Sequence, residues 1–249
     1  MRCQRVIPVK LALVSWLGLY RILLVGTTSY LDVFLEPTPI SLYNGHMNSN
    51  SRTIRYYDEN SVEYSKTVNV ADMDRTYERV LKYVPAGGSI VDVGCGSGRD
   101  LKHFSEAGYA ASGIDASECM CKVAHEYSGC PVKCCDALSW KPGEKVDAIW
   151  ANASLLHLKY YDIITFLKTK SEYLNPAGIL YFSMKAGIPE GYDEQRRYFT
   201  PYSESILDSV LSEGKLKVVE RWTETDSLAR KGFYWEAIIL GRDTAKTGE

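Results

Sequence analysis

The chain has 249 residues, 45% of them hydrophobic and 24% charged, with a formal net charge of −2. That length holds one large domain or two small ones, and the composition is that of an ordinary globular protein. A near-neutral balance supplies no global field for nucleic acid or an anionic membrane, and it argues against DNA as a partner.

Residues 1–46 read differently from the rest. The stretch LALVSWLGLY (Leu11 to Tyr20) is apolar and follows Arg2, Arg5 and Lys10. It is similar to the centre of a signal peptide, but no small-x-small cleavage site follows. It is short of the roughly 20 residues of a membrane span, and Arg21 interrupts its extension. PTPISLYNGHMNSNS then reads as a polar linker carrying Met47. The expectation is an accessory extension over 1–46, arising from start-site choice, ahead of a domain over 47–249 in a cytoplasmic protein. A true anchor or signal with membrane association is the alternative.

From about Arg55 helix and strand patterns alternate. MDRTYERVLKYV places Met73, Tyr77, Val80, Leu81 and Val84 at helical spacing. PAGG stops that helix and SIVDV is a short buried strand. RDLKHFSEAG is a helix with Leu101 and Phe104 inward. YAASGID is the second strand, and Ser117 is a plausible N-cap for ECMCKVAHEY, whose inner stripe is Met120, Val123, Ala124 and Tyr127. His103 and His125 fall on the polar faces of these helices and read as solvated. PVKCCDA, VDAIWA and GILYFSM supply three further strands, with DIITFLKTKSEYL a helix before the last. KLKVVERW and WEAIILGR alternate in period two and read as paired antiparallel strands, with Trp222 and Trp235 packing them. The predicted fold is α/β: a doubly wound, mostly parallel seven-stranded sheet with an antiparallel closing strand. In such sheets ligands bind beyond the carboxyl ends of the strands.

The seven cysteines are an odd number, and Cys119, Cys121, Cys130, Cys134 and Cys135 cluster. They form no C-x-x-C knuckle, and residues two apart on a helix do not share a face. Reduced thiols and no metal site are expected.

The loop Gly94-Cys95-Gly96-Ser97-Gly98-Arg99 puts Arg99 where a dinucleotide fingerprint has its third glycine. No lysine followed by Ser or Thr makes it a P-loop. Asp92, at the end of the first strand, would repel a pyrophosphate and suits a ligand whose near end is an ammonium. Asp115 ends the second strand, where a carboxylate can accept from both ribose hydroxyls. Asp136 follows the third strand, in reach of an adenine edge. A ligand with an ammonium, a ribose and an adenine but no phosphate is S-adenosylmethionine.

On these residues the chain resembles the class I S-adenosylmethionine-dependent methyltransferases, in the form of a small stand-alone bacterial-type domain. VDVGCGSG is similar to the first motif of that family, GIDAS to the second and CCDAL to the third. DAIWANASLLHL matches the segment around the fourth strand and YLNPAGILYFS the turn and strand after it, so the likeness covers roughly 55–242. The resemblance implies that Asp92 and the backbone of Gly94, Cys95, Gly96 and Gly98 hold the methionine part. It implies that Asp115, with Ala116 and Ser117, holds the ribose, that Asp136 and Ala137 flank the adenine, and that Ala151 and Asn152 line the methionine side. A helix-start role for Gly98 and a turn role for Asp136 are the alternatives.

Methyl transfer from a sulfonium is an in-line displacement of an activated group, so alignment is the main task, and it can contribute roughly 7–11 kcal/mol. A base is needed only for a protonated nucleophile, and His157, just after the fourth strand, is the candidate. Tyr56, Tyr57 and Tyr64 are candidates for a lid, as the amino-terminal helix is in similar enzymes. Arg196 and Arg197 follow the fifth strand and are candidates to hold an anionic substrate. ANAS after the fourth strand is unlike the sequence of exocyclic-amine DNA methyltransferases, no Pro-Cys nucleophile is present, and no acidic pair marks a divalent-metal site. The expected reaction is methylation of an N, O or S nucleophile of a small molecule, with tRNA or protein substrates as the alternative. From other classes come a non-catalytic cofactor-binding module and an NAD-dependent oxidoreductase. The latter would use Tyr181 and Lys185, but on a strand these lie about 13 Å apart.

Overall fold

A computed structural model describes residues 12–14, 20–27, 30–37 and 49–243. The chain divides into two units, Met1–Asn48 and Ser49–Glu249. In the first, β1 (Ala12–Val14), β2 (Tyr20–Thr27) and β3 (Tyr30–Pro37) form a three-stranded antiparallel sheet in that order. An apolar segment followed by a linker did not anticipate strands here. The Val, Ile, Leu, Tyr and Phe content of 20–37 suits a pleated ribbon, and Arg21, an obstacle to a spanning helix, is none to a strand. Most of the apolar run Leu11–Tyr20, and residues 38–48 of the linker read over 37–51, lie outside the described residues.

The second unit begins with α1 (Ser49–Val68) and α2 (Asp74–Leu81). The alternating part follows: β4 (Ser89–Val93), α3 (Arg99–Glu106), β5 (Ala110–Asp115), α4 (Glu118–Ser128), β6 (Val132–Cys134), β7 (Val146–Ala151), α5 (Tyr160–Lys170) and β8 (Leu174–Ala186). A small hairpin of β9 (Gly191–Tyr192) and β10 (Tyr198–Phe199), then α6 (Glu204–Leu211), β11 (Leu216–Glu224) and β12 (Tyr234–Arg242) complete it. The seven-stranded sheet runs β11-β12-β8-β7-β4-β5-β6, and β12 alone is antiparallel, lying between β8 and β11. This is the predicted doubly wound sheet with its antiparallel closing strand.

Apolar side chains fill both faces. Ile149, Leu180, Phe182 and Ile238 share one core with Ile163 and Phe166 of α5 and Ile206 of α6. Ile90, Trp150, Tyr181 and Ile239 share the other with Tyr77 and Val80 of α2 and Phe104 of α3. The strand order reverses between β4 and β7, so the loops after these strands diverge and leave a crevice at the carboxyl edge. Two details differ from the periodicity. On α4 the buried stripe is Met120, Cys121 and Ala124, while Tyr127 is exposed beneath the Lys102 ammonium. His103 is half-buried and stacks on Tyr77 with centroids 3.7 Å apart, so it is a packing residue and not a solvated one. Among the described residues, no helix is long and apolar enough to cross a membrane.

Candidate functional site

The carboxyl edge of the sheet opens into one large cavity, floored by the glycine loop and walled by α1, the hairpin and the β11–β12 loop. The loop takes its shape from positive φ values: 73° at Gly94, 53° at Gly96 and 78° at Gly98. Gly94 must also lack a Cβ, because one would stand 2.4 Å from the Ser154 Cβ. The amides of Gly94 and Cys95 both donate to the Ile114 carbonyl, at 2.8 and 3.0 Å, pinning the loop to the next strand.

Asp115 lies at the end of β5 and lines the cavity. Its Oδ2 accepts from the Gly96 amide (2.9 Å) and its Oδ1 from the Ser117 amide (2.8 Å). Burial raises its carboxyl above the usual range, against the amides of Ser117, Gly96 and Ala116, which lower it. Ala116 and Ser117 line the cavity beside it. Ser117 is also the N-cap of α4, accepting from the Met120 amide at 3.1 Å, as the sequence suggested. Asp136 and Ala137 line the third side, where Asp136 Oδ1 accepts from the Leu138 amide at 2.8 Å and so holds a turn.

Asp92 sits beneath the loop, almost fully buried, and its Oδ2 has no hydrogen-bond partner. Burial and then the nearby Asp100 raise its carboxyl well above the usual range. An orphaned carboxylate oxygen under a glycine loop fits a ligand that brings a positive charge or donors. Ser154, which does line the cavity, likewise has an unpartnered buried Oγ.

Three residues expected at the ligand do not line the cavity: Asp92, which is buried beneath the loop, Gly98 and Ala151. At Gly98 an added Cβ would stand 2.7 Å from the Ala124 carbonyl oxygen, so this glycine allows α3 to start against α4. Ala151 is fully buried within β7. Asn152, the next residue, does line the cavity, with Oδ1 accepting from Ser183 Oγ at 2.7 Å.

Sequence reasoning missed Asp100. It is buried at the start of α3 and accepts from Arg99 Nε (2.6 Å), Tyr77 Oη (2.7 Å), Trp150 Nε1 (2.8 Å) and Asn152 Nδ2 (3.3 Å). Burial alone would raise its carboxyl, but the Arg99 charge and these donors lower it. Arg99 also donates to the Val68 carbonyl at 3.2 Å, tying the end of α1 to the loop. Asp58 was missed as well: it accepts from Ser117 Oγ at 2.6 Å and docks α1 on the start of α4.

The other wall is α1. Tyr57 and Tyr64 face the cavity with centroids 5.0 Å apart. Tyr56 does not line it, and packs between Tyr57 and the Arg197 guanidinium, 4.9 Å from the ring centre. His157 lines the cavity with both nitrogens committed. Its Nδ1 lies 2.7 Å from the Tyr198 carbonyl, which can only accept, so Nδ1 carries the proton and Nε2 accepts from Tyr57 Oη at 2.8 Å. Burial lowers its pKa from 6.5 to about 4, against the Tyr198 bond, which raises it. Arg197 lines the cavity and pairs with Asp193 at 2.7 Å, while Arg196 is exposed at φ 64° and does not line it. Tyr181 and Lys185 both stand on β8, not on a helix. Among the described residues, no group of three or more His, Cys, Asp or Glu side chains is placed to hold a metal ion.

A family profile described as a methyltransferase domain matches residues 64–217. Trans-aconitate 2-methyltransferase of Escherichia coli (strain 55989 / EAEC) is 33% identical over 99 residues, which are 38% of this chain and 38% of that protein. The chain therefore aligns with well under two thirds of that relative's length. Among solved structures, 1,6-didemethyltoxoflavin-N1-methyltransferase of Burkholderia thailandensis, with bound 1,6-didemethyltoxoflavin and S-adenosylhomocysteine, superposes with a TM-score of 0.61. It is 16% identical, over 90% of this chain and 95% of that one. Magnesium protoporphyrin IX methyltransferase of Synechocystis PCC 6803 also gives 0.61, at 14% identity over 78% and 99% of the two chains. At such identities the solved structures establish the fold, and the profile match, over more than half of the chain, establishes the family: this chain belongs to the methyltransferase domain family.

Proposed function

We propose that the protein transfers the methyl group of S-adenosylmethionine to an N, O or S nucleophile of a small molecule. One observation carries the reading: Asp115 stands in the cavity beside a loop that only glycine can follow at Gly94, with the buried Asp92 oxygen left without a partner beneath it. Acids in these places disfavour a phosphate and suit an aminoacyl nucleoside. The small-molecule acceptors named for the trans-aconitate and toxoflavin enzymes support the substrate class.

In this reading Gly94, Cys95, Gly96 and the underlying Asp92 hold the aminoacyl end, Asp115 with Ala116 and Ser117 the ribose, and Asp136 with Ala137 the adenine. Asn152 closes the aminoacyl side. When bound, the cofactor supplies a methyl group already activated on a sulfonium. The chain's own contribution is to align an acceptor and keep out water, with Tyr57 and Tyr64 of α1 covering the cavity. His157 is neutral at neutral pH and already bonded at both nitrogens, so we assign it the positioning of Tyr57 and not a proton-accepting step. The cytoplasm is the proposed compartment, supported by Cys95, Cys119, Cys121, Cys130, Cys134 and Cys135 being free thiols.

Calorimetric titration of the full chain tests this reading. S-adenosylmethionine is expected to bind and NAD not to bind. Asp115→Ala is expected to weaken binding about 10- to 100-fold, the loss of roughly 1.5–3 kcal/mol of charge-assisted hydrogen bonding. Binding of NAD instead, or no binding of S-adenosylmethionine, overturns it.

A further inference from the structure

At the end of β8 the cavity holds a cation with no counter-ion among the described residues. Every other cation lining the cavity has its own carboxylate: Arg99 pairs with Asp100 at 2.6 Å, Arg197 with Asp193 at 2.7 Å and Arg230 with Asp226 at 2.6 Å. Lys185 has none among the described residues. Its Nζ is instead surrounded by rings, 4.3 Å from the centre of Phe233, 4.7 Å from Phe199 and 5.6 Å from Trp235.

The neighbouring acids are bonded elsewhere. Asp226 is taken by the Arg230 guanidinium at 2.8 and 2.6 Å and by Trp235 Nε1 at 3.1 Å. Asp193 is taken by the Arg197 guanidinium and by the amides of Gln195 and Arg197. Burial, then Arg230 and Arg197, lower the Lys185 pKa to about 8, with Asp226 and Asp193 opposing, so the amine remains charged at neutral pH. Aromatic faces offset part of the cost of a half-buried ammonium, on the order of 0.5–2 kcal/mol, but they do not neutralise it. With each arginine cancelled by its aspartate, one positive charge is left over in an aromatic cage.

We infer that Lys185 holds a carboxylate of the methyl acceptor, with the acceptor's flat or apolar body packed against Phe199, Phe233 and Trp235. This inference rests on the methyltransferase reading and names the substrate class of that site. One free ammonium among rings matches a monoanion better than a phosphate dianion, which would call for further unspent donors.

The test compares ligands of one shape and different charge on the full chain saturated with S-adenosylhomocysteine, by ligand-observed NMR titration. Sodium benzoate is expected to bind at least tenfold more tightly than benzamide, and more tightly than phenyl phosphate. Lys185→Met is expected to abolish the preference for benzoate over benzamide and Lys185→Arg to keep it, both variants retaining wild-type affinity for S-adenosylhomocysteine. Equal binding of benzoate and benzamide, no binding of benzoate, or a preference unchanged in Lys185→Met overturns the inference. A preference for phenyl phosphate overturns the assignment to a carboxylate. Calorimetry with S-adenosylhomocysteine alone keeps the two readings apart. Failure of the wild type to bind it sinks the methyltransferase reading, and the benzoate comparison, repeated without it, still decides the role of Lys185.

Discussion

The two halves of the cavity are built on opposite principles. The half over β4, β5 and β6 is acidic and made of strand ends: Asp115 and Asp136 line it at or just past the carboxyl ends of β5 and β6, and Asp92, near the end of β4, lies buried beneath its loop. The half over β8 and β12 is basic and aromatic, and most of it comes from connections: the β9–β10 hairpin, the β11–β12 loop and α1. A strand end cannot shift without disturbing the sheet, so the acidic half is fixed by the fold. A connection can change without cost to the core, so the basic half is the part whose residues the fold leaves free to vary. In the proposed reading the same division separates a part that holds the cofactor from a part that receives the acceptor.

The largest expected effect tests whether the acidic half is held together by its own charges. Asp100 binds no ligand in the proposed reading, yet it receives four side-chain donors from α2, α3, β7 and the residue after β7. Asp100→Ala leaves the largely buried Arg99 guanidinium, 18% exposed, without its partner, at a cost of roughly 3–5 kcal/mol. For a chain of this size that corresponds to a fall in Tm of roughly 6–20 °C. Asp100→Asn, which keeps the shape and an acceptor, should lose less. A thermal melt of either variant within a degree or two of wild type would show that the network carries no stability.

The next effect belongs to the basic half. His157 is held neutral, with its pKa lowered from 6.5 to about 4 by burial. Between these values the unfolded chain binds the proton that the folded chain refuses, so stability rises with pH across this window. The contribution is complete above about pH 6.5 and is lost as pH falls through about pH 4, amounting to about 3 kcal/mol in total. Denaturant titrations between pH 4 and 7 should show this slope in the wild type and a shallower one in His157→Gln. Equal slopes would mean that the imidazole is already accessible to protons in the folded state.

The same contrast explains what was legible in the sequence. SIVDV, VDAIWA and GILYFSM are buried runs bounded by turn residues, and β4, β7 and β8 fall on them because buried parallel strands have no polar face to confuse the pattern. The acids at their ends were legible for that reason. α1 was not legible as an amphipathic helix, since part of the face it buries is polar: Thr53, Ser61 and Ser65. Thr53 Oγ1 accepts from the Tyr198 amide at 2.9 Å and Ser65 Oγ donates to the Ser61 carbonyl, bonds that an apolar stripe does not reveal. The surroundings of Lys185 were hidden for another reason. Phe199, Phe233 and Trp235 reach it from a hairpin and from β12 and its approach, and only the antiparallel insertion of β12 beside β8, pairing Trp235 with Lys185, brings them together.

The smallest effect sharpens the reading of the glycine loop itself, where one motif contains residues of both kinds. Gly94 and Gly96 face the cavity, while Gly98 faces α4 at a distance that leaves no room for a Cβ. Gly98→Ala combines a φ of 78° with a contact of 2.7 Å to a backbone carbonyl, and neither partner is a flexible side chain that can swing away. The expected loss is about 1–3 kcal/mol of stability, read by chemical denaturation. The affinity of the folded protein for S-adenosylhomocysteine should change by no more than about twofold, because the strain falls on the approach of α3 to α4 and leaves the Gly96–Asp115 bond in place. A tenfold loss of affinity at unchanged stability would move Gly98 into the binding loop and make the third glycine a ligand contact after all.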